Sequence, residues 1–216
     1  MKKTVYSLLL SDEVVREVDR LAHRLGTSRS ALINQILAEY VALTTPERRV
    51  GEIFRAMEAL LTPQRELIPY IAPNASSMSL KSSLEYKYRP TVKYEVELSK
   101  ERGESIGTLS VNFRTQSAAL LRELTAFFQL WKHLEETWLL PLMPGGGIAW
   151  ALYEGKFVRV LSWPRQDCTA QELAQAISDY IRTFDELMKG YLAGRYTPQE
   201  VEARYRSALS RADILL

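Results

Sequence analysis

Apolar and polar positions change their spacing several times along this chain. Thr4-Val5-Tyr6-Ser7-Leu8-Leu9-Leu10 is β-branched, aromatic and aliphatic and stops at Ser11-Asp12, which predicts one short strand. From Val14 the spacing becomes helical: Val14, Val15, Val18, Leu21, Ala22 and Leu25 form one stripe. Ser11 suits the cap of that helix, Asp12 and Glu13 complement its dipole, and Gly26 suits its end. A second helix, capped by Thr27 or Ser28, presents Leu32, Ile33, Ile36, Leu37 and Tyr40. Side chains alternate across a strand. Leu10 leads directly into the cap, so Leu10, Leu8 and Tyr6 fall on the core face and Lys3, Val5, Ser7 and Leu9 on the other. A register flipped by one would expose Thr4, Tyr6 and Leu8 but bury Ser7, and ranks second.

One strand and two helices make a poor monomer. The strand has no pairing partner and the unit buries too little surface. Pairing the strand with its copy in a second chain solves both problems, so residues 1–45 are expected to form a two-fold symmetric homodimer.

Beyond residue 45 the pattern is that of a larger domain. Thr44-Thr45-Pro46-Glu47 opens a helix over about 46–61, with Val50, Ile53, Phe54, Met57, Leu60 and Leu61 on one side. Pro69 to Ser79 reads as a loop, and 46–79 together as a linking helix and loop. Residues 80–114 alternate as a three-stranded meander. Leu84, Tyr86 and Tyr88, then Val92, Tyr94, Val96 and Leu98, then Leu109, Val111 and Phe113 lie on its apolar side. A helix at about 115–140 can cover them with Leu120, Leu121, Leu124, Phe127, Phe128, Trp131 and Leu134. A hairpin follows at 148–163, turning at Glu154-Gly155, and then helices at about 169–192 and 197–210. Residues 80–216 are therefore expected to form one α+β domain with four or five strands.

Composition adds limits. Of the 216 residues, 46% are hydrophobic and 25% charged, a globular balance. No apolar run approaches the roughly 20 residues that span a bilayer, so no membrane association is expected. One cysteine, Cys168, and the lack of a signal-peptide core point to the cytoplasm. Net charge is +2; residues 1–50 hold 8 Lys/Arg against 6 Asp/Glu, and the remainder 20 of each. That small bias alone does not argue for nucleic acid.

Candidate chemistry is sparse. His23 and His133 form no metal-ligand spacing, so no metal or cofactor is expected. Cys168 has no nearby base in the sequence. Glu135-Glu136 reads as a solvated charge run, and Gly145-Gly146-Gly147 as a connector. Tyr86-Lys87-Tyr88-Arg89 and Lys93-Tyr94 suggest a stacking surface, but alternation puts the tyrosines in the core. No catalytic constellation emerges, and the chain is not expected to be an enzyme. Trp131, Trp138, Trp150 and Trp163 read as core, or as walls if the domain binds a small molecule.

The run from Thr4-Val5-Tyr6 through Ser11-Asp12-Glu13-Val14-Val15 to Leu25-Gly26-Thr27-Ser28-Arg29-Ser30-Ala31-Leu32-Ile33 resembles the ribbon-helix-helix family, the class of the Arc, MetJ and CopG repressors. The fold class expected is thus α+β: an N-terminal dimeric ribbon-helix-helix followed by a mixed domain with an antiparallel sheet packed on helices. The resemblance implies that paired strands enter the major groove of double-stranded DNA and that the second helix grips phosphate at its start. The DNA-binding residues would be Lys3, Val5, Ser7 and Leu9 on the ribbon, with Ser28, Arg29 and Ser30 on the backbone. A homodimeric transcriptional regulator, such as a repressor, is the leading expectation. The apolar pair Val5 and Leu9 motivates an alternative, a protein-interaction module or an antitoxin or plasmid accessory factor that docks a protein on the same face. A small-molecule or protein partner for the C-terminal domain is left open.

Overall fold

The computed structural model describes residues 5, 7–41, 45–63, 67–71, 76–84, 90–100, 103, 105–143, 148–153 and 155–216. Lys3, Tyr6, Tyr86, Tyr88 and Gly145–Gly147 lie outside the described residues. The chain divides into two compact units, Met1–Arg49 and Val50–Leu216.

The first unit holds helices α1 (Asp12–Arg24) and α2 (Arg29–Tyr40). The Ser11 hydroxyl accepts from the Val14 amide at 3.4 Å, as a cap must. Gly26 adopts φ 64°, and the amides of Gly26 and Thr27 close back on the carbonyls of His23 and Ala22. That reversal uses a left-handed residue, where a side chain would be strained. Ala22, Leu32 and Ala38 are the buried apolar residues of these two helices.

The expected strand over residues 4–10 is not seen as one: Val5 and Ser7–Leu10 belong to no sheet. The reason is physical. A strand exists only as part of a ladder, and no described strand of the same chain pairs with this segment.

The second unit is built on one antiparallel sheet of six strands in the order β1-β2-β3-β4-β6-β5. The strands are β1 (Leu67–Ile71), β2 (Ser77–Ser83), β3 (Thr91–Leu98), β4 (Ser105–Phe113), β5 (Trp150–Tyr153) and β6 (Lys156–Ser162). Two of them occupy ground read from the sequence as a loop: β1 overlaps its start and β2 its end. Pro69 does not bar β1 from the sheet because β1 is an edge, where a missing amide is tolerated. Among the described residues, 80–216 hold most of β2 and all of β3 to β6, within the four or five strands expected there, and β1 adds a sixth from before them.

Alternation then sorts the faces. Met78, Leu80, Val92, Tyr94, Val96, Leu109, Val111, Phe157 and Leu161 are all buried on one side. Lys93 and Glu95 pair at 3.3 Å on the other. Three long helices add to the same core: α3 (Pro46–Leu61), α4 (Ala118–Leu134) and α5 (Ala170–Leu192). From α3 come Val50, Ile53, Phe54, Met57 and Leu61, so this helix is packed core rather than a linker. The expected helix over 115–140 is α-helical only to Leu134. It continues as a single π turn, Glu135–Leu139, and a 3-10 turn, Leu140–Leu142. α5 and α6 (Pro198–Ser210) both begin with capping boxes, Thr169 with Glu172 and Thr197 with Glu200.

Asp185 of α5 is the polar tie between helix and sheet. Its carboxylate accepts from Ser82 Oγ at 3.0 Å and Tyr94 Oη at 2.7 Å, and pairs with Lys189 at 2.7 Å. Burial, then the neighbouring Asp185 carboxylate, pushes the Tyr94 hydroxyl well above its ordinary range, so Tyr94 is a neutral donor.

Gly107 of β4 stands opposite Leu98 of β3, beside a shift in the β4–β6 register. A carbon added there would lie 1.9 Å from the Glu97 backbone oxygen. Gly107→Ala is expected to lower stability by about 2 kcal/mol, the scale of an overpacked core. Gly51, within α3, has open space for the same carbon. Gly51→Ala is expected to raise stability by about 0.5–1 kcal/mol, the difference in helix propensity. Urea unfolding of both variants checks the pair of signs.

Candidate functional site

At the start of α2, Ser28 has extended backbone and its hydroxyl accepts from the Ala31 amide at 3.2 Å. No acidic residue stands in the first turn of this helix. Its end therefore carries the partial positive charge of its amides with no carboxylate in its own first turn. Arg29 and Ser30 are both exposed beside it. Thus Ser28, Arg29 and Ser30 are gathered at one helix N-terminus, the kind of position where phosphate is bound.

Asp19, in α1, was not singled out from the sequence. Its carboxylate accepts two hydrogen bonds from Arg29, Nε to Oδ1 and Nη2 to Oδ2, both 2.5 Å. The pair stays about half exposed, at 53% for Arg29 and 44% for Asp19. One edge of the planar guanidinium is thereby fixed, while Nη1 takes no part in this bidentate pair. The sequence signal was faint, because the partners stand ten positions apart on different helices.

On the segment before α1, Val5 is 98% exposed and Leu9 104%, with Ser7 exposed between them. Leu8 and Leu10 are less so, at 52% and 40%. Val14, Leu25, Ile36, Leu37 and Tyr40 are exposed too, an unusual apolar surface for so small a unit.

Residues 7–44 match the family model of the ribbon-helix-helix protein, copG family. The match covers the N-terminal unit alone. Outside it no family is recognised. No curated protein and no solved structure matches the chain.

The second unit corrects one reading of the sequence. Glu136 is exposed and pairs with Lys132 at 3.3 Å, as a solvated charge should. Glu135 is fully buried. Its carboxylate lies 2.8 Å from Nε of Arg159 on β6, also fully buried. It accepts from Tyr180 Oη at 2.8 Å and from Trp150 Nε1, and Tyr180 Oη accepts in turn from Trp131 Nε1 at 2.8 Å. The signal was present: Glu135 stands four residues after Trp131, on the apolar stripe of the helix. Burial works against the Arg159 charge, but the Glu135 carboxylate holds it protonated. Burial, then Glu135, lifts Tyr180 and Tyr205 far above the ordinary tyrosine range, so both remain neutral.

Trp131 and Trp150 thus serve this cluster. Trp138 donates to Glu202 at 3.2 Å under the Arg206 guanidinium. Trp163 donates to the Gly103 carbonyl at 3.0 Å. His23 and His133 are exposed, and no group of three or more metal-ligating side chains occurs among the described residues.

Two measurements follow. Glu135→Ala leaves Arg159 charged and buried, and is expected to cost about 3–5 kcal/mol in urea unfolding. Asp19 is held below the ordinary aspartate range by the Arg29 hydrogen bonds, which outweigh burial. A depressed pKa makes this pair stabilising above the unfolded aspartate value, and the contribution is lost as pH falls through the folded one. Arg29→Ala is expected to move the Asp19 carboxyl titration, followed by NMR, upward to the ordinary range.

Proposed function

We propose that the chain is a homodimeric, sequence-specific DNA-binding protein that acts as a transcriptional regulator. The observation that carries this reading is the family match over residues 7–44, with Ser28–Ser30 at the α2 N-terminus inside it. Proteins of this family are generally DNA-binding regulators or antitoxins. The exposed apolar residues of the first unit support a second copy as its cover. In that dimer the two segments over residues 4–10 pair with each other as a ribbon, and the ribbon enters the major groove. Ser7 can hydrogen-bond a base edge, while Val5 and Leu9 can touch thymine methyl groups. Lys3 lies on the same ribbon face, while Ser28, Arg29 and Ser30 add contacts that position the protein without reading sequence.

Asp19 takes a supporting part in this reading. It holds one edge of Arg29, so that the remaining edge can meet a phosphate with little loss of side-chain freedom.

The exposure of Val5 and Leu9 favours a second reading, in which the same dimer docks a protein partner on its ribbon face. No described helix is long and apolar enough to cross a membrane, and neither reading calls for one.

Selection from random duplex DNA by the purified full chain, at several salt concentrations, tests the proposal. A two-fold symmetric sequence should be enriched, with affinity falling as salt rises. Arg29→Ala should weaken binding to all sequences and reduce the salt slope by about two, one for each copy. Asp19→Asn should weaken binding while Arg29 is present and have no such effect in the Arg29→Ala background. Absence of any enriched sequence, with Arg29→Ala binding as well as the parent, would overturn the DNA reading in favour of a protein partner.

A further inference from the structure

The helices of the second unit add to a core on one face of its sheet. On the other face the strand registers align one row of residues across every strand. Ile68 stands opposite Lys81, Lys81 opposite Lys93, Lys93 opposite Asn112, Asn112 opposite Lys156, and Lys156 opposite Tyr153. Half of the row is lysine and none of it is acidic. Lys81, Lys93 and Tyr153 are exposed, and Asn112 and Lys156 are half-buried. Arg114, exposed directly after β4, adds a positive charge at the same end of the sheet. This placement works against the sheet itself, because like charges directly opposite on neighbouring strands repel, and Lys81 and Lys93 are such a pair. The acidic residues of this face stand in other rows. Glu95, one row along, meets Lys93 at 3.3 Å, and Glu97 stands two rows along, opposite Thr108. The Lys93–Glu95 pair is open to water, at 45% and 33% exposure, where such a pair is worth little and Lys93 is readily given over to another anion.

We propose that this face is a second contact surface for duplex DNA, with the lysine row lying along the phosphates of one strand. The proposal rests on the DNA reading of the chain and gives the larger unit a part in it. Charge and spacing point to that partner. Lys81 and Lys156 are three strand spacings apart in the sheet. At about 4.8 Å for each spacing the row spans roughly 14 Å. Over that length one strand of a duplex carries about four phosphates. Asn112 and the Tyr153 hydroxyl within the row, and Ser79 and Ser110 in the next, are neutral donors of the kind that accompany lysine at phosphate. A single-stranded tract would call for a series of aromatic platforms, and the row holds one aromatic residue, Tyr153. Lysine brings a point charge without the planar fork that reads a base edge. This contact therefore adds affinity equally on every sequence, and selection is left to the first unit.

Binding of the full chain to mixed-sequence duplex DNA, followed against salt concentration, tests the assignment. The triple variant Lys81→Gln, Lys93→Gln, Lys156→Gln loses a like-charge pair, so it should unfold in urea no earlier than the parent. It is expected to bind at least about tenfold more weakly at moderate salt, with a salt slope smaller by at least about three. The corresponding triple change to arginine keeps the charges and should restore both affinity and slope. Lys132→Gln, on α4 and paired with Glu136, should leave the slope where it was. The proposal is overturned if the glutamine variant keeps the parent's affinity and slope, if the arginine variant binds no better than the glutamine one, or if Lys132→Gln lowers the slope as much per charge. Arg29→Ala separates the two claims. Weaker binding by Arg29→Ala beside an unchanged glutamine variant removes this surface and leaves the DNA reading standing, whereas a full chain that binds no duplex DNA removes both.

Discussion

Phe184 is where the larger unit is joined. Its ring lies 6.2 Å from Tyr94 on β3, 5.6 Å from Phe157 on β6, and 5.4, 6.1 and 4.8 Å from Phe127, Phe128 and Trp131 on α4. Five rings from three elements meet a sixth on α5, mostly edge to face or offset, as aromatic quadrupoles prefer. The sheet presents only one apolar face, so it needs a cover. α3, α4 and α5 provide it, and Phe184 touches both α4 and the sheet.

Aromatic packing is tolerant of small slips along a helix; hydrogen bonds are less so. The next residue, Asp185, accepts from β2 and β3 and sets both the rotation and the height of α5 over the strands. One turn earlier Tyr180 bonds Glu135 at the end of α4. α5 is thereby fixed at two points, one on the sheet and one on the neighbouring helix. The second point carries a full buried charge pair, a demanding choice where an apolar contact would serve packing as well.

Much of this was legible in the sequence, and the reasons differ by element. The helices were written in 3.6-residue stripes and explicit caps: Ser11, Ser28, Thr169 and Thr197 all act as expected, two of them in capping boxes. β3 and β4 were written in strict alternation. β1 and β2 were obscured because edge position tolerates Pro69, and Ser77, Ser79 and Ser82 resemble loop residues while pairing in the sheet. Glu135 was misread because charge was weighed above its place on the stripe. The α2 end of the candidate DNA interface could be read from Ser28-Arg29-Ser30, but Asp19 could not, since its link to Arg29 exists only once two helices are folded together.

The two borders of the sheet are unlike its interior. β5 has only four residues, and β1 has Pro69 at its centre, opposite Leu80. Proline has no amide hydrogen, so the row of donors that an unpaired border offers to a neighbour is interrupted midway. Ile68, exposed next to it, would otherwise make that border adhesive. At high protein concentration the sheet should therefore not lengthen by recruiting strands from other molecules, and the larger unit is guarded against fibre-like assembly by a residue that contributes nothing to its core.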